Sequence, residues 1–387
     1  MNNTIKLAVA SALLAAASTA SAAGGIVAGD WTLDIGGVVN AYVTSTKTDG
    51  AQAVSNITTG LLPNYLSVSG KTRQNDLDVA FTISIQPGAA TPYALKAANN
   101  QENRQAFLTF GDASWGSIKL GKDLGIYASG AILNDMTLLG VGAGASGVGT
   151  TTLGRIGRGY MYADWKSQVA YTSPNFNGLS FTAGVTQSWD ALSGIGELQN
   201  TDGLRGGNQP AFEGQVSYAF AADAVTAKVW ASGISQKMAN AATDANDAVK
   251  ATAHSYDIGA TVSAAGFSLT GYYYDGKGIG QTLQFMNGFD ENGAKRKSDG
   301  EYIQATYALP GVGTKLGASW GTSNLDGTAA DATDAVKSKN EMWTFGVYHP
   351  ITKHLNLVAE YSEAKDKLTD EDTSKSKTIS AGAILFF

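Results

Sequence analysis

From Trp31 onward the chain alternates. Trp31, Leu33 and Ile35 are separated by Thr32 and Asp34. The same spacing returns at Leu77, Val79, Phe81, Ile83 and Ile85, and again at Leu355, Leu357, Ala359 and Tyr361. A period of two sends successive side chains to opposite faces of a strand, one apolar and one mostly polar. Helical spacing is hard to find. The pattern predicts sixteen strands, near 30–44, 64–71, 77–86, 103–112, 117–123, 165–173, 179–189, 210–221, 224–235, 252–264, 267–276, 300–309, 314–322, 341–349, 354–364 and 377–387. Their connections alternate in length. Asp112 to Gly116, Ala265-Gly266 and Pro310 to Gly313 are tight turns, whereas 45–63, 190–209, 236–251, 277–299, 323–340 and 365–376 are long and polar. Short turns at one end, long loops at the other and an even strand count describe a closed antiparallel barrel in a membrane.

A soluble sandwich also alternates, with its apolar face inward. The aromatic residues decide between the two. Trp31, Trp189, Trp343, Tyr361 and the terminal Phe387 lie near predicted strand ends, where a bilayer-spanning barrel carries its interfacial girdles. The apolar faces are therefore read as turned toward lipid, around a polar, wet lumen. Only a closed sheet satisfies every backbone group in such a setting. Phe387 falls in register with Leu385, Ala383, Ala381 and Ile379 on the lipid side, and parity sends Phe386 to the lumen or the rim.

Composition adds direction. Lys6 precedes the apolar run Leu7 to Ala17 and the Ala20-Ser21-Ala22 pattern, which reads as an export signal over 1–22 and leaves a barrel domain at 23–387. The whole chain has 27 basic and 33 acidic residues; without Lys6 the balance is 26 against 33, or −7. That charge argues against nucleic acid as a partner. There is no cysteine, so an exported chain of this kind is held by packing and hydrogen bonds, not disulfides.

Two stretches carry a family resemblance. "NRQAFLTFGDASWGSIKLGKD" (Asn103 to Asp123) and "VAYTSPNFNGLSF" (Val169 to Phe181), with a long loop between them, resemble the Gram-negative general porins. The closing Phe387 resembles that family's C-terminal aromatic, which the outer-membrane assembly machinery reads. The resemblance implies a sixteen-stranded, homotrimeric, passive diffusion channel of the outer membrane, in contact with lipid and lipopolysaccharide. Its third loop would fold into the lumen. It would pass ions and small hydrophilic solutes without any cofactor.

The candidate eyelet loop spans about 124–164. Its middle carries one charge, Asp135, with Arg155, Arg158 and Asp164 near its return. A lysine or arginine facing lipid at mid-depth costs about 2–4 kcal/mol, so charges within strands should point inward. That places Lys119, Lys228 and Lys315 in the lumen as bases, and Asp34, Asp78, Glu213, Asp257 and Glu360 as acids. Arg104 sits where the resemblance expects a constriction arginine, with ambiguous parity beside Phe107 and Leu108. Each of these also reads as a solvated charge that keeps the interior wet. Tyr65, Ser69, Thr172, Ile384 and Phe386 stand where basic residues are common in the family. The basic cluster is thin, which implies weak ion selectivity with little reason to prefer anions. Ile132, Leu133, Met136, Leu138 and Leu139 either line a less polar eyelet, suited to small aromatic or amphipathic solutes, or pack the loop against the wall.

A barrel hydrolase needs a positioned base and nucleophile, and only His254, near the long-loop side, and His349 and His354, flanking a short turn, are available. No zinc-ligand spacing occurs. The acid clusters Asp290 to Gly293 and Asp370 to Thr373 offer oxygen ligands for Ca²⁺ or for ions bridging lipopolysaccharide, with solvated loop charge as the alternative. An adhesin, whose loops bind a surface partner, fits less well than transport, given an inserted loop.

Overall fold

The structure, a computed structural model, describes residues 25–90, 101–143, 151–194, 197–198, 204–206, 209–239, 250–331, 337–368 and 373–387. The export signal read at 1–22, loop residues 144–150 and the acids at 370–372 lie outside the described residues. Sixteen long strands form the wall: β1 Trp31–Thr48, β2 Tyr65–Gln74, β3 Leu77–Pro87, β4 Gln101–Asp112, β5 Gly116–Leu124, β6 Trp165–Thr172, β7 Leu179–Thr186 and β8 Ala211–Ala222. They continue with β9 Val225–Ala239, β10 Lys250–Ala264, β11 Phe267–Lys277, β12 Lys297–Ala308, β13 Lys315–Leu325, β14 Ser338–Pro350, β15 Leu355–Leu368 and β16 Thr373–Phe386. Each pairs antiparallel with its neighbours in sequence, and β16 returns to β1 with Val38 opposite Phe386. The sheet closes, so it has no edge.

The chemistry of the turns follows the sequence. Asn75 and Asp76 link β2 to β3 with φ of 48° and 63°, and Ala265 and Gly266 link β10 to β11 with φ of 50° and 85°. Two successive positive φ values are what a two-residue hairpin requires to match strand twist. The seam is closed by Phe387, whose N–H and C=O both bond Gly37 (3.1 and 2.9 Å). Its ring lies over that glycine, where a Cβ would come within 2.7 Å of the ring and 2.3 Å of the Tyr65 carbonyl. Phe386 turns inward and is buried beside Val38 and Ile384.

The outward face is apolar. On β1, Val39 and Val43 are 55% and 59% exposed, while Asn40 and Thr44 point inward and are buried. The interior departs from the wet lumen expected of the pattern. A continuous apolar cluster inside the barrel runs from Val38 and Tyr42 through the third loop to Trp230, Tyr272, Tyr302, Tyr348 and Phe386. The loop residues 278–289 join it through Ile279, Phe285 and Phe289. Alternation assigns faces but not contents, and here the inward face is largely covered by inserted loops. Trp189, expected in a girdle, is also inside, where its backbone is held at both ends by Gln236 (3.0 and 2.7 Å).

Candidate pore and its constriction

The third loop, described over 125–143 and 151–164, folds into the barrel with a short helix α1, Ser129–Asn134, followed by a 3₁₀ turn, Met136–Leu139. Asp135 starts that turn: its carboxylate accepts from the Thr137 N–H (2.9 Å), the Thr137 hydroxyl (2.6 Å) and the Tyr160 hydroxyl (2.8 Å). The wall then takes up the loop's free backbone groups. At the start, Glu213 accepts from the N–H groups of Ile126 (2.9 Å) and Tyr127 (2.8 Å). In the middle, Gln304 accepts from the Met136 N–H (2.7 Å) and donates to the Asn134 carbonyl (2.9 Å), and Tyr302 donates to the Ala131 carbonyl (3.0 Å). Past the turn, Glu360 accepts from the N–H groups of Val141 (2.7 Å) and Gly142 (2.8 Å) and from the Tyr348 hydroxyl (2.7 Å). The carboxyl groups of Glu213 and Glu360 thus hold the 126–142 segment of the insert at its start and just past the turn. Gly140 lets the chain pass the second clamp, since a Cβ there would lie 2.2 Å from the Glu360 carboxyl group.

The residues singled out in the sequence fall into three sets. Glu213, Glu360 and Asp257 face inward as parity requires, but all three are buried and bonded. Asp257 holds the Ser232 N–H and hydroxyl (2.8 and 2.7 Å), and Ser232 in turn holds the Ala128 N–H (3.1 Å). Asp135 and Arg155 are buried too. The Arg155 guanidinium donates to the Met342 carbonyl (3.1 Å) and to the Ser319 hydroxyl, and burial weakens its hold on its proton. Two more are at the ends: Asp78 pairs with Arg73 at the short-turn rim (2.8 Å), and Arg158 grips Asp366 with two bonds (3.1 and 2.7 Å). Asp290 of the described acid cluster is spent on its own turn, accepting from the Asn292 and Ala294 N–H groups (2.9 and 2.8 Å).

The third set lines open space. Lys119 and Asp34 border a polar cavity of about 400 Å³ on the short-turn side of the loop, together with Ser69, Thr82, Gln105, Asp123 and Gln168. Lys119 pairs with Asp123 and lies 4.8 Å from the Phe107 ring centroid. Arg104 lines a second cavity of about 260 Å³ on the long-loop side, with Glu102, Asp164, Tyr162 and many leucines. The two cavities share Tyr65, Gln105, Leu124 and Leu133, so they adjoin across a narrow ring. Lys315 borders a third cavity of about 390 Å³ rich in threonine and serine, and its ammonium lies 5.3 Å from the Tyr348 ring centroid. Lys228 faces inward, half-buried, near the same rim.

The ambiguity at Arg104 has a structural cause. A bulge between β3 and β4 sets Ser84 opposite Gln105 but Gln86 opposite Glu102. The extra residue on β4 turns both Arg104 and Gln105 inward. Arg104 donates to Glu102 (2.8 Å) and to the Tyr162 hydroxyl (3.4 Å), and its guanidinium lies 5.7 Å from the Trp165 ring centroid. Of the apolar loop group, Ile132, Leu133 and Leu138 line the second cavity, whereas Met136 and Leu139 line the third.

Some residues of this region were not singled out in the sequence. Lys166 is fully buried on Glu213 (2.6 Å) and Gln284 (2.8 Å), 4.4 Å from the Trp189 centroid. The parity rule that selects Lys119 selects Lys166 equally. Glu102 was missed because it precedes the predicted strand 103–112 and its face depends on the bulge; Asp164, read only as a charge at the loop's return, is placed by a left-handed backbone (φ 54°). Burial raises the Asp164 carboxyl above the ordinary carboxylate range, against the pull of the Trp165 N–H, Arg104 and Lys166. In the outer loops, the hydrogen bond from Arg296 holds Asp331 down at about 2.

Comparison with known proteins agrees with this geometry. A family model described as Gram-negative porin matches residues 8–369. The outer-membrane channel DcaP of Acinetobacter baumannii superposes with a TM-score of 0.72 at 14% identity, covering 94% of this chain and 100% of that one. The anion-selective porin of Comamonas acidovorans gives 0.61 at 16% identity, covering 92% and 100%. Salmonella typhi OmpF, in a complex with daunomycin, gives 0.59 at 17% identity, covering 92% and 98%. No curated protein matches the chain.

Proposed function

Because the chain belongs to the Gram-negative porin family, we propose that it is a weakly selective diffusion channel of the outer membrane. Its water path runs between the third loop and the wall of β1 to β6. Ions and small hydrophilic solutes pass down their gradients. What supports this path is the pair of cavities on that side that adjoin at Tyr65, Gln105, Leu124 and Leu133. The charges along it are Asp34, Lys119 and Asp123 in one cavity and Glu102, Arg104 and Asp164 in the other. Four acids against two bases favour cations slightly, because wall charges act over a screening length of ~8 Å at physiological salt.

In this reading the protein is a conduit and not an enzyme, works as a homotrimer in lipid and lipopolysaccharide, and enters the membrane through the assembly machinery after losing residues 1–22. Planar bilayers in a salt gradient test the function: a stable conductance with a small reversal potential of cationic sign is expected. Electrically silent bilayers, or a strongly anionic reversal potential, would overturn it. Mass measurement of the detergent-solubilised protein checks the trimer, and N-terminal sequencing of the exported chain checks the leader.

A further inference from the structure

The cavity on the long-loop side differs chemically from the polar one beneath it. Its wall is mostly apolar, with Leu61, Leu124, Ile132, Leu138 and Ile156 supplied by the wall and two inserted loops. At about 260 Å³ it exceeds the ~150 Å³ engineered cavity that holds benzene, so one ring with a short side chain has room. Three charged residues border it among the described residues: Glu102, Arg104 and Asp164. Arg104 and Glu102 are a salt bridge at 2.8 Å. Asp164 has no salt bridge among the described residues. One of its oxygens accepts from the Trp165 N–H (2.7 Å), and Arg104 and Lys166 act on it through space without closing a salt bridge.

We propose that this cavity is a transient binding station for small monocationic amphiphiles, meaning an ammonium group on a compact aromatic or branched alkyl body. The apolar body leaves water for the leucine and isoleucine wall, which favours it over a bare ion. The ammonium meets the Asp164 carboxylate, which has no salt bridge among the described residues, and the aromatic rings of Tyr65 and Tyr162, both in the lining. An anion of the same shape meets a net negative site, whose one guanidinium is already engaged with Glu102. Neutral solutes gain the apolar contacts without the charge. A site of this kind on a conduction path must hold its solute weakly enough to release it, so it would act as a sieve by chemistry in addition to size. The station rests on the channel reading given above.

Single-channel recording in planar bilayers tests it, with 2-phenylethylammonium, phenylacetate and methylammonium as probes. Phenylethylammonium should interrupt the current with dwell times about five to ten times those of phenylacetate, the scale of one partly screened charge. Methylammonium should give no resolved interruptions. Asp164→Asn should bring the two aromatic probes to similar dwell times; asparagine tolerates the left-handed backbone at this position, so the barrel should be retained. Leu153→Ser, at an exposed lining position of this cavity alone, should shorten both aromatic dwell times. Phenylacetate dwelling as long as the ammonium, or an unchanged ammonium dwell in Asp164→Asn, would overturn the station while the conducting channel stands. A bilayer silent in simple salt would overturn the channel itself.

Discussion

Two pairs of hydroxyl side chains at different places on the wall show how one sequence pattern serves two environments. Ser69 and Thr82, on β2 and β3, lie 3.0 Å apart and border the polar cavity. Thr344 and Ser362, on β14 and β15, lie 2.9 Å apart and are fully buried. In both pairs the side chains face inward at cross-strand positions, and nothing in the local sequence separates them. What differs is the cover: the third loop packs on the wall of β8 to β16 and on Tyr42 of β1, and leaves the inward faces of β2 to β6 bordering open space. The inward carboxylates divide the same way. Asp34 lines open space, whereas Glu213 and Glu360 hold backbone N–H groups of the loop. An inward charge in such a barrel is therefore a mooring or a pore residue according to where the inserted loop comes to rest.

The sharpest way to break this division is Glu213→Ala. It leaves the Lys166 ammonium buried without its carboxylate and frees two loop N–H groups, and breaking a buried pair costs about 3–5 kcal/mol. Thermal unfolding in detergent should show that loss, with a noisier open channel in bilayers. Glu360→Gln weakens the second mooring by about 1–3 kcal/mol, the cost of leaving buried donors poorly matched. Current fluctuations should rise more than stability falls. Gly37→Val tests the seam, where the new side chain must displace the Phe387 ring and the backbone at Tyr65; overpacking of this kind costs about 1–3 kcal/mol. The measurement is the fraction of barrel that resists unfolding at a fixed temperature.

The smaller effects concern charge. Asp164 faces Arg104, Glu102 and Lys166, and burial raises its carboxyl. It takes up its proton before an ordinary carboxylate does as the pH falls. Cation preference should therefore weaken in mild acid, and Asp164→Asn should show the weaker preference at neutral pH and remove that step. In the outer loops the sign is opposite. Asp331 titrates at about 2, so its clamp on Arg296 is complete above the ordinary carboxylate range and is lost only as the pH falls through about 2. Loop protection against protease should be unchanged between neutral pH and pH of about 4.

The strands were legible because lipid outside a closed sheet enforces a strict period. Turn residues such as Ala265-Gly266 marked one end, and parity placed Asp257, Glu213 and Glu360 inward. The role of each inward charge was not legible. It depends on contacts between residues far apart in sequence, such as Glu360 with Val141 and Gly142. Arg104 escaped parity for a local reason, the bulge on β4, and Lys166 was available to the same rule that found Lys119.

The most direct measurement uses the absence of cysteine in the chain. Thr82→Cys and Thr344→Cys, made separately, place one thiol on each wall for a charged methanethiosulfonate reagent added to an open channel in a planar bilayer. The expected result is rapid modification with a stepwise fall in current for Thr82→Cys, and neither for Thr344→Cys. Comparable modification and comparable current loss at both positions would contradict a water path confined to the wall of β1 to β6.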